Sequence, residues 1–460
     1  MGRVMIVAND VVASQMAGPG IRCVELARQL VRAGGHQVTL VTVGPTDLTL
    51  EGVELVADPS PEAVLARAAT HDAVLLEGIS LARYPDLRRV RVPLIFDLYD
   101  PFPLALLEQE AHRPLAEQRR EGGEVRRVLR EMLLAGDFFL CASQIQRDLW
   151  TGALLDVGRV NPDNWARDNS LRQLVDIVPF GLPSDPPPPR EGKRTLGGTT
   201  FEEQDLVLVW AGGIYNWFDP LTLIEAMHLA AEPRVKLVFM STSHPNPSVP
   251  GRMWMPLRAR ELADRLRLTG SSVFFNEEWV PYADRGRWLR AADAGVSTHL
   301  DHAETRYAYR TRMLDYLWAG LPMICTSGDH FAGVVREREL GWVVEPQDAA
   351  GLAAAIHEFA DGPQERSQIS ERVRQVAAEM TWERVSRPLL DFCERPRRAA
   401  DLPRQEWIRR RPPTPLELRT REAGRLARRA ARELVRSGPA ETSRRAVRWW
   451  RSRRGSPPRA

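Results

Sequence analysis

The stretch Glu304-Thr-Arg-Tyr-Ala-Tyr-Arg-Thr-Arg-Met-Leu-Asp-Tyr-Leu-Trp-Ala-Gly-Leu-Pro322 decides the reading of this chain. It follows a short run, Ala294 to Leu300, that reads as a strand. An acidic residue (Glu304) and three arginines (Arg306, Arg310, Arg312) come first, then an apolar helical pattern closed by Ala-Gly-Leu-Pro. A strand, a loop and a helix start bring backbone N–H groups and guanidinium groups to one place, where they can meet phosphate. Asp315 stands one turn into the helix, in reach of a ribose diol. The arrangement suits a nucleotide-sugar donor.

Outward from this stretch the chain alternates apolar runs with helical patterns. In the first half, Val4–Ala8, Gln37–Val43, Ala73–Leu76, Pro93–Leu98, Phe138–Ala142 and Val175–Pro179 read as strands. Most are continuous rather than alternating, as expected for parallel strands covered on both faces. Ile21–Ala33 reads as the first helix, with Leu26, Leu30 and Val31 inward. After a Pro-rich segment containing Pro186-Pro-Pro-Pro189, the alternation restarts with Leu206–Ala211, Lys236–Met240, Ser272–Asn276, Gly295–His299, Met323–Thr326 and Trp342–Val344. Trp382 to Phe392 reads as one more helix. The fold class is α/β: two Rossmann-like doubly wound domains facing a cleft, plus a basic helical C-terminal tail. The expected divisions are 1–185, a linker at 186–200, 201–380, a crossover helix at 381–395, and an Arg-rich tail at 396–460.

Composition bounds the alternatives. At 460 residues the chain exceeds one ordinary core. Hydrophobic content of 43% and charged content of 27% are those of a globular protein, and no apolar run approaches a membrane span. Val4–Ala8 is too short for a signal peptide, so a cytoplasmic protein is expected. The four cysteines are far apart and form no CxxC pair, which argues against a zinc framework. Of 63 basic residues only Lys193 and Lys236 are lysines. In the tail, 416–436 carries apolar positions at helical spacing among arginines, and Trp449-Trp450 lies in a second basic run. Residues 416–454 therefore suit an anionic membrane surface and a peripheral location on the inner face of the plasma membrane. No nucleic-acid partner is expected, since nothing in the two α/β halves supports one.

Other segments carry candidate chemistry. Gly18-Pro-Gly20 opens the first helix, where glycine admits close approach of a ligand, although a plain tight turn explains it nearly as well. The third glycine of a dinucleotide fingerprint is replaced by Cys23, which disfavours NAD. Asp97-Leu-Tyr-Asp100 ends a strand, so Tyr99 and Asp100 face the expected cleft; a turn cap by Asp97 is an equal reading. Gly212, Gly213 and Asn216 sit in the first strand–helix turn of the second half, ahead of Asp219-Pro220. Val280, Pro281 and Tyr282 can wall a slot for a flat base, or the loop is simply held by a buried Trp279.

The order of elements and Asp315-Tyr-Leu-Trp-Ala-Gly-Leu-Pro322 resemble the GT-B glycosyltransferases of family 4, over roughly residues 1 to 395. Asp315 falls where that family's Glu binds the donor ribose. Gly18-Pro-Gly20 resembles its N-terminal Gly-rich loop, and Thr381-Trp-Glu383 the start of its last helix. The resemblance implies a glycosyltransferase, usually retaining, acting on a glycan or lipid-linked acceptor. The implied catalytic residues are Glu304, Arg310, Arg312, Tyr99 and Asp100. The implied donor-binding residues are Gly18, Gly20, Gly212, Gly213, Asn216, Val280, Tyr282, Arg306 and Asp315. No Asp-x-Asp motif stands in a suitable loop, so neither a metal nor a cofactor is expected beside the nucleotide sugar. The chain departs from the family pattern at Tyr307, which replaces its first Glu, at Gly213 and near Trp217, which replace its Arg/Lys pair, and at Tyr99, which replaces a His. Asn-Trp-Phe-Asp-Pro and Arg-Thr-Arg mark a variant subgroup. A GT-B sugar-nucleotide epimerase and a non-catalytic ligand-binding or assembly protein are the alternatives.

Overall fold

The computed structural model describes residues 2–189, 192–242 and 253–402. The basic tail at 416–454 lies outside the described residues.

The apolar runs of the first half form a parallel sheet of seven strands: β1 (Arg3–Val7), β2 (Gln37–Thr42), β3 (Val53–Ala57), β4 (Ala73–Glu77), β5 (Leu94–Asp97), β6 (Phe138–Cys141) and β7 (Val175–Ile177). Their order is β3-β2-β1-β4-β5-β6-β7. Residues of β1 and β4 pair in register from Val4↔Ala73 to Val7↔Leu76. Every residue of β4, β5 and β6 is buried, which is why these strands read as unbroken apolar runs. The strand that pattern reading omits is β3. It lies at the sheet edge, half exposed, and Glu54 interrupts its apolar residues.

Within the Pro-rich joint the structure departs from a bare linker. β8 (Thr195–Leu196) and β9 (Thr199–Thr200) form a small hairpin. Arg194 anchors it by donating to Ala291 O at 2.6 Å and Asp205 O at 2.7 Å.

The second half forms a parallel sheet of β10 (Leu206–Trp210), β11 (Val235–Phe239), β12 (Val273–Phe275), β13 (Ala294–Ser297), β14 (Met323–Thr326) and β15 (Gly341–Val344), ordered β12-β11-β10-β13-β14-β15. In both sheets the strand order reverses beside the first strand, and this switch point opens a crevice at the carboxyl ends of the strands. One apolar cluster runs through both lobes and includes Ile6, Leu26, Val209 and Leu317.

The expected single helix from Trp382 to Phe392 is two: Trp382–Val385 and Arg387–Glu394. Pro388 lacks an N–H and occupies the first turn of the second, so the first cannot run on through it. Both pack on the first lobe. Trp382 N donates to Leu182 O at 2.9 Å, and Phe392 stacks on Phe138 of β6 with ring centroids 4.7 Å apart. Among the described residues no helix is long and apolar enough to cross a membrane.

Candidate functional site

The carboxyl ends of β1, β4, β5, β10 and β11 meet around a cavity of about 540 Å³ lined by both lobes. Helix Thr311–Ala319 supplies its second-lobe wall. That helix is fixed from below by Tyr316, which is fully buried. The Tyr316 hydroxyl accepts from Ala211 N–H at 3.0 Å and lies 3.0 and 2.7 Å from the carbonyls of Val209 and Val296. A Cβ at Gly295 would stand 2.2 Å from its ring, so β13 needs glycine there. Gly320, at φ +72°, ends the helix in the left-handed conformation ahead of Pro322.

Arg312, the second residue of the helix, stands in the cavity wall. Its Nη2 donates to Gly213 O at 2.9 Å, and the guanidinium lies 4.3 Å from the ring centres of both Trp210 and Phe218. Nη1 is buried with no hydrogen-bond partner. Burial, with Arg310 nearby, brings its pKa down to about 10. Among the described residues no carboxylate stands within ion-pair distance of it. Gly212 and Gly213 line the cavity beside it, and Gly212 takes φ +74° with open space at its Cβ position.

Arg310 and Arg306 differ from expectation. Arg310 lines the cavity, but both terminal nitrogens bind Glu304, at 3.0 and 2.7 Å. The guanidinium expected to meet diphosphate is thus already matched by a carboxylate, and only its buried Nε lacks a hydrogen bond, with Asp329 Oδ2 4.0 Å away. Arg306 is exposed and stands outside the lining, because Glu304 and Thr305 take the inward face of the short helix Ala303–Tyr307.

Asp315 lines the cavity and accepts from Arg285 Nε at 3.1 Å. Burial raises its pKa, and Arg285 counters this. Sequence reading missed Arg285. It is clamped between the rings of Tyr282 (3.7 Å) and Trp318 (4.4 Å) and donates to Tyr282 O at 2.9 Å. The spacing Tyr282-x-x-Arg285 at a helix start was the available signal, since it sets a cation beside a ring. Val280 and Tyr282 line the cavity, although Val280 N–H already donates to Ser241 Oγ at 3.3 Å. Trp279 is half-buried and lines the cavity too.

Gly18 lines the cavity, with no atom closer than 3.9 Å to an added Cβ. Gly20 does not line it. A Cβ there would stand 2.2 Å from Val11 O, so this glycine serves close packing of helix on loop. Asn216 lines the cavity, but its Oδ1 accepts from Trp254 N and Met255 N at 2.9 and 3.2 Å, at the start of the helix Met255–Arg265.

The first lobe contributes acids. Asp97 lines the cavity, but both oxygens take the fully buried Arg22, at 2.5 and 2.9 Å, rather than capping a turn. That pair, with bonds from Arg22 to the carbonyls of Val178 and Pro179, fixes the loop carrying Tyr99 and Asp100. Burial, with Glu304 opposite, pushes Asp100 up to about 7, against the pull of Arg310. Burial also pushes Glu77 up to about 8 despite the hydrogen bond it accepts from Asn9 N–H.

The fold has known counterparts. Residues 205–361 match the model of the family Glycosyl transferases group 1. The match falls within the second lobe. No curated protein sequence matches the chain. Among solved structures it is similar to sucrose-phosphate synthase from Thermosynechococcus elongatus (TM-score 0.64, 15% identity, covering 85% of this chain and 98% of that one). It is also similar to WaaG, a glycosyltransferase involved in lipopolysaccharide biosynthesis (TM-score 0.56, 14% identity, 85% and 99%). A third is Anabaena HepE in complex with UDP-glucose (TM-score 0.59, 12% identity, 85% and 99%). The fold of the two facing lobes is GT-B.

Proposed function

We propose that this chain is a glycosyltransferase that moves a sugar from a nucleotide-activated donor to a hydroxyl of a cell-surface polysaccharide or glycolipid acceptor, with retention and without a metal. The observation that carries the reading is Arg312: a buried guanidinium in a cavity wall, with no carboxylate in ion-pair distance among the described residues and with one nitrogen lacking a hydrogen-bond partner. Such a cation is costly to bury unless an anion joins it. A diphosphate at the Gly212-Gly213 turn would supply that anion. The N–H groups of the turn, the start of helix Thr311–Ala319 and Arg312 would then stabilise the charge that builds on the leaving diphosphate as the anomeric C–O bond breaks. Asp315 would take the ribose, and Glu304, held by Arg310, would face the donor sugar. Asp100, on the opposite wall, would accept a hydrogen bond from the incoming hydroxyl.

HepE, whose structure contains UDP-glucose, makes UDP-glucose the first donor to try. The basic segment 416–454 would hold the enzyme at an anionic membrane on the cytoplasmic side. Equal pelleting with anionic vesicles of the full chain and of a version ending near Glu394 would refute that part. The central test is a thermal-shift screen with UDP, GDP, TDP and ADP sugars, since a ligand of the native state raises its melting temperature. One of them should raise it and be consumed. An unmoved melting temperature across the set would defeat the reading.

A further inference from the structure

The cavity is electrically two-sided. Arg285, Arg310 and Arg312 stand on the second-lobe wall with Glu304 and Asp315, and the first-lobe wall carries Asp10, Glu77, Asp97 and Asp100 with no guanidinium in the lining among the described residues. The first-lobe guanidinium closest to these acids in the hydrogen-bond network, Arg22, is engaged by both oxygens of Asp97. Glu77 is 3% exposed, and Asp10, Asp97 and Asp100 all act to keep its proton on. A carboxyl that holds a proton near neutral pH both donates and accepts hydrogen bonds. Tyr309, on the facing second-lobe wall, adds a second observation: the residue lines the same cavity, is 7% exposed, and its hydroxyl is buried without a hydrogen-bond partner. Phe102, Ala105 and Leu106 give this end an apolar flank.

Groups that donate and accept, beside an apolar flank, match the alternating hydroxyls and C–H face of a sugar ring. A phosphate or carboxylate placed there would meet like charge, and the guanidiniums nearest it, Arg22 and Arg310, are each already bound by a carboxylate. We propose that the end of the cavity bounded by Glu77 and Asp100 of the first lobe and Tyr309 of the second takes a hydroxyl-bearing acceptor with no phosphate or carboxylate at its reacting end. The proposal rests on the transferase reading and narrows its acceptor.

The test uses the full chain with a saturating nucleoside diphosphate, and two probes: octyl β-D-glucopyranoside below its micelle concentration, and the same glycoside phosphorylated at O6. Binding is followed by saturation-transfer NMR. The neutral glycoside should bind about tenfold or more tightly than its phosphate. The gap should widen between about pH 7 and about pH 9, as carboxyls with raised pKa lose their protons, and should flatten in Glu77→Gln. Equal binding, a preference for the phosphate, or no binding of either probe overturns the proposal. The donor reading fails separately, if no nucleoside diphosphate shifts the melting temperature; the two probes, compared on the free protein, still decide the acceptor question.

Discussion

Arg312 should act in opposite directions on folding and on the proposed binding of diphosphate. In the free protein its guanidinium sits on Trp210 and Phe218 with Nη1 unpartnered, and burial lowers its pKa. Replacing such a buried ion by an apolar side chain of similar volume is often neutral or stabilising. Arg312→Met should therefore leave the melting temperature of the free protein unchanged or higher. It should also abolish the shift given by nucleotide sugars and lower kcat by about 100-fold or more, as loss of a charge-stabilising donor does. A variant that is destabilised yet still answers to nucleotide would assign Arg312 to packing. Glu77 makes a pH prediction with a definite sign. Its pKa rises from 4.5 to about 8 on folding, so the folded state holds a proton that the unfolded state has released. Its contribution is complete below about pH 4.5 and is lost as pH climbs to about 8, at no more than about 1.4 kcal/mol per pH unit. Denaturant unfolding of Glu77→Gln should show a flatter decline across that window, and parallel curves would mean that Glu77 ionises normally. Removal of divalent metal with EDTA should leave sugar transfer unchanged, because the proposed counter-charge to diphosphate is Arg312.

At the scale of elements, the two glycines that open the first helix separate packing from binding. Gly20→Ala would force a Cβ to 2.2 Å from Val11 O and should cost about 1–3 kcal/mol. Gly18→Ala finds open space beside the cavity, so stability should hold while donor affinity falls. Urea midpoints and nucleotide titrations of the two variants distinguish the cases, and matching profiles would defeat the distinction. Sequence pattern alone could not draw it, since both residues read as one ligand-facing Gly-Pro-Gly turn. The doubly wound architecture was legible because buried parallel strands such as Ala73–Glu77 are unbroken apolar runs. The edge strand β3 was not, because its exposed face carries Glu54. The segment around Arg310 was legible as a cavity wall. The division of labour within it was not, since helical spacing cannot say which arginine has a carboxylate opposite it. Glu304 takes Arg310 and leaves Arg312 to the cavity. Arg285 was missed because its partners Trp318 and Asp315 lie about thirty residues away.

At the scale of the whole molecule, polar links join the two walls of the cavity, and Gln146 makes one of them. It is fully buried in the first lobe. Its Oε1 accepts from Ala142 N–H at 2.7 Å. Its Nε2 donates to Tyr99 O, beside Asp100, and to Tyr307 O, on the second-lobe loop of Glu304 and Arg310, each at 2.7 Å. One side-chain amide thus fixes the spacing between the carboxyl proposed for the acceptor and the pair proposed for the donor sugar. A second link, Tyr282 N–H to Ser14 O at 3.2 Å, holds the opposite rim. Gln146→Met keeps the volume and removes all three bonds, leaving buried groups unmatched at about 1–3 kcal/mol each. Stability should fall. Nucleoside diphosphate affinity should stay near the parent value, because Arg312 and the Gly212-Gly213 turn belong to the second lobe alone. Turnover should fall by about 10-fold or more, since loss of alignment between reacting groups is felt in kcat. Calorimetry with the diphosphate and steady-state transfer rates read these effects independently. If affinity dropped in step with turnover, Gln146 would be supporting the second-lobe wall rather than setting the distance across the cleft.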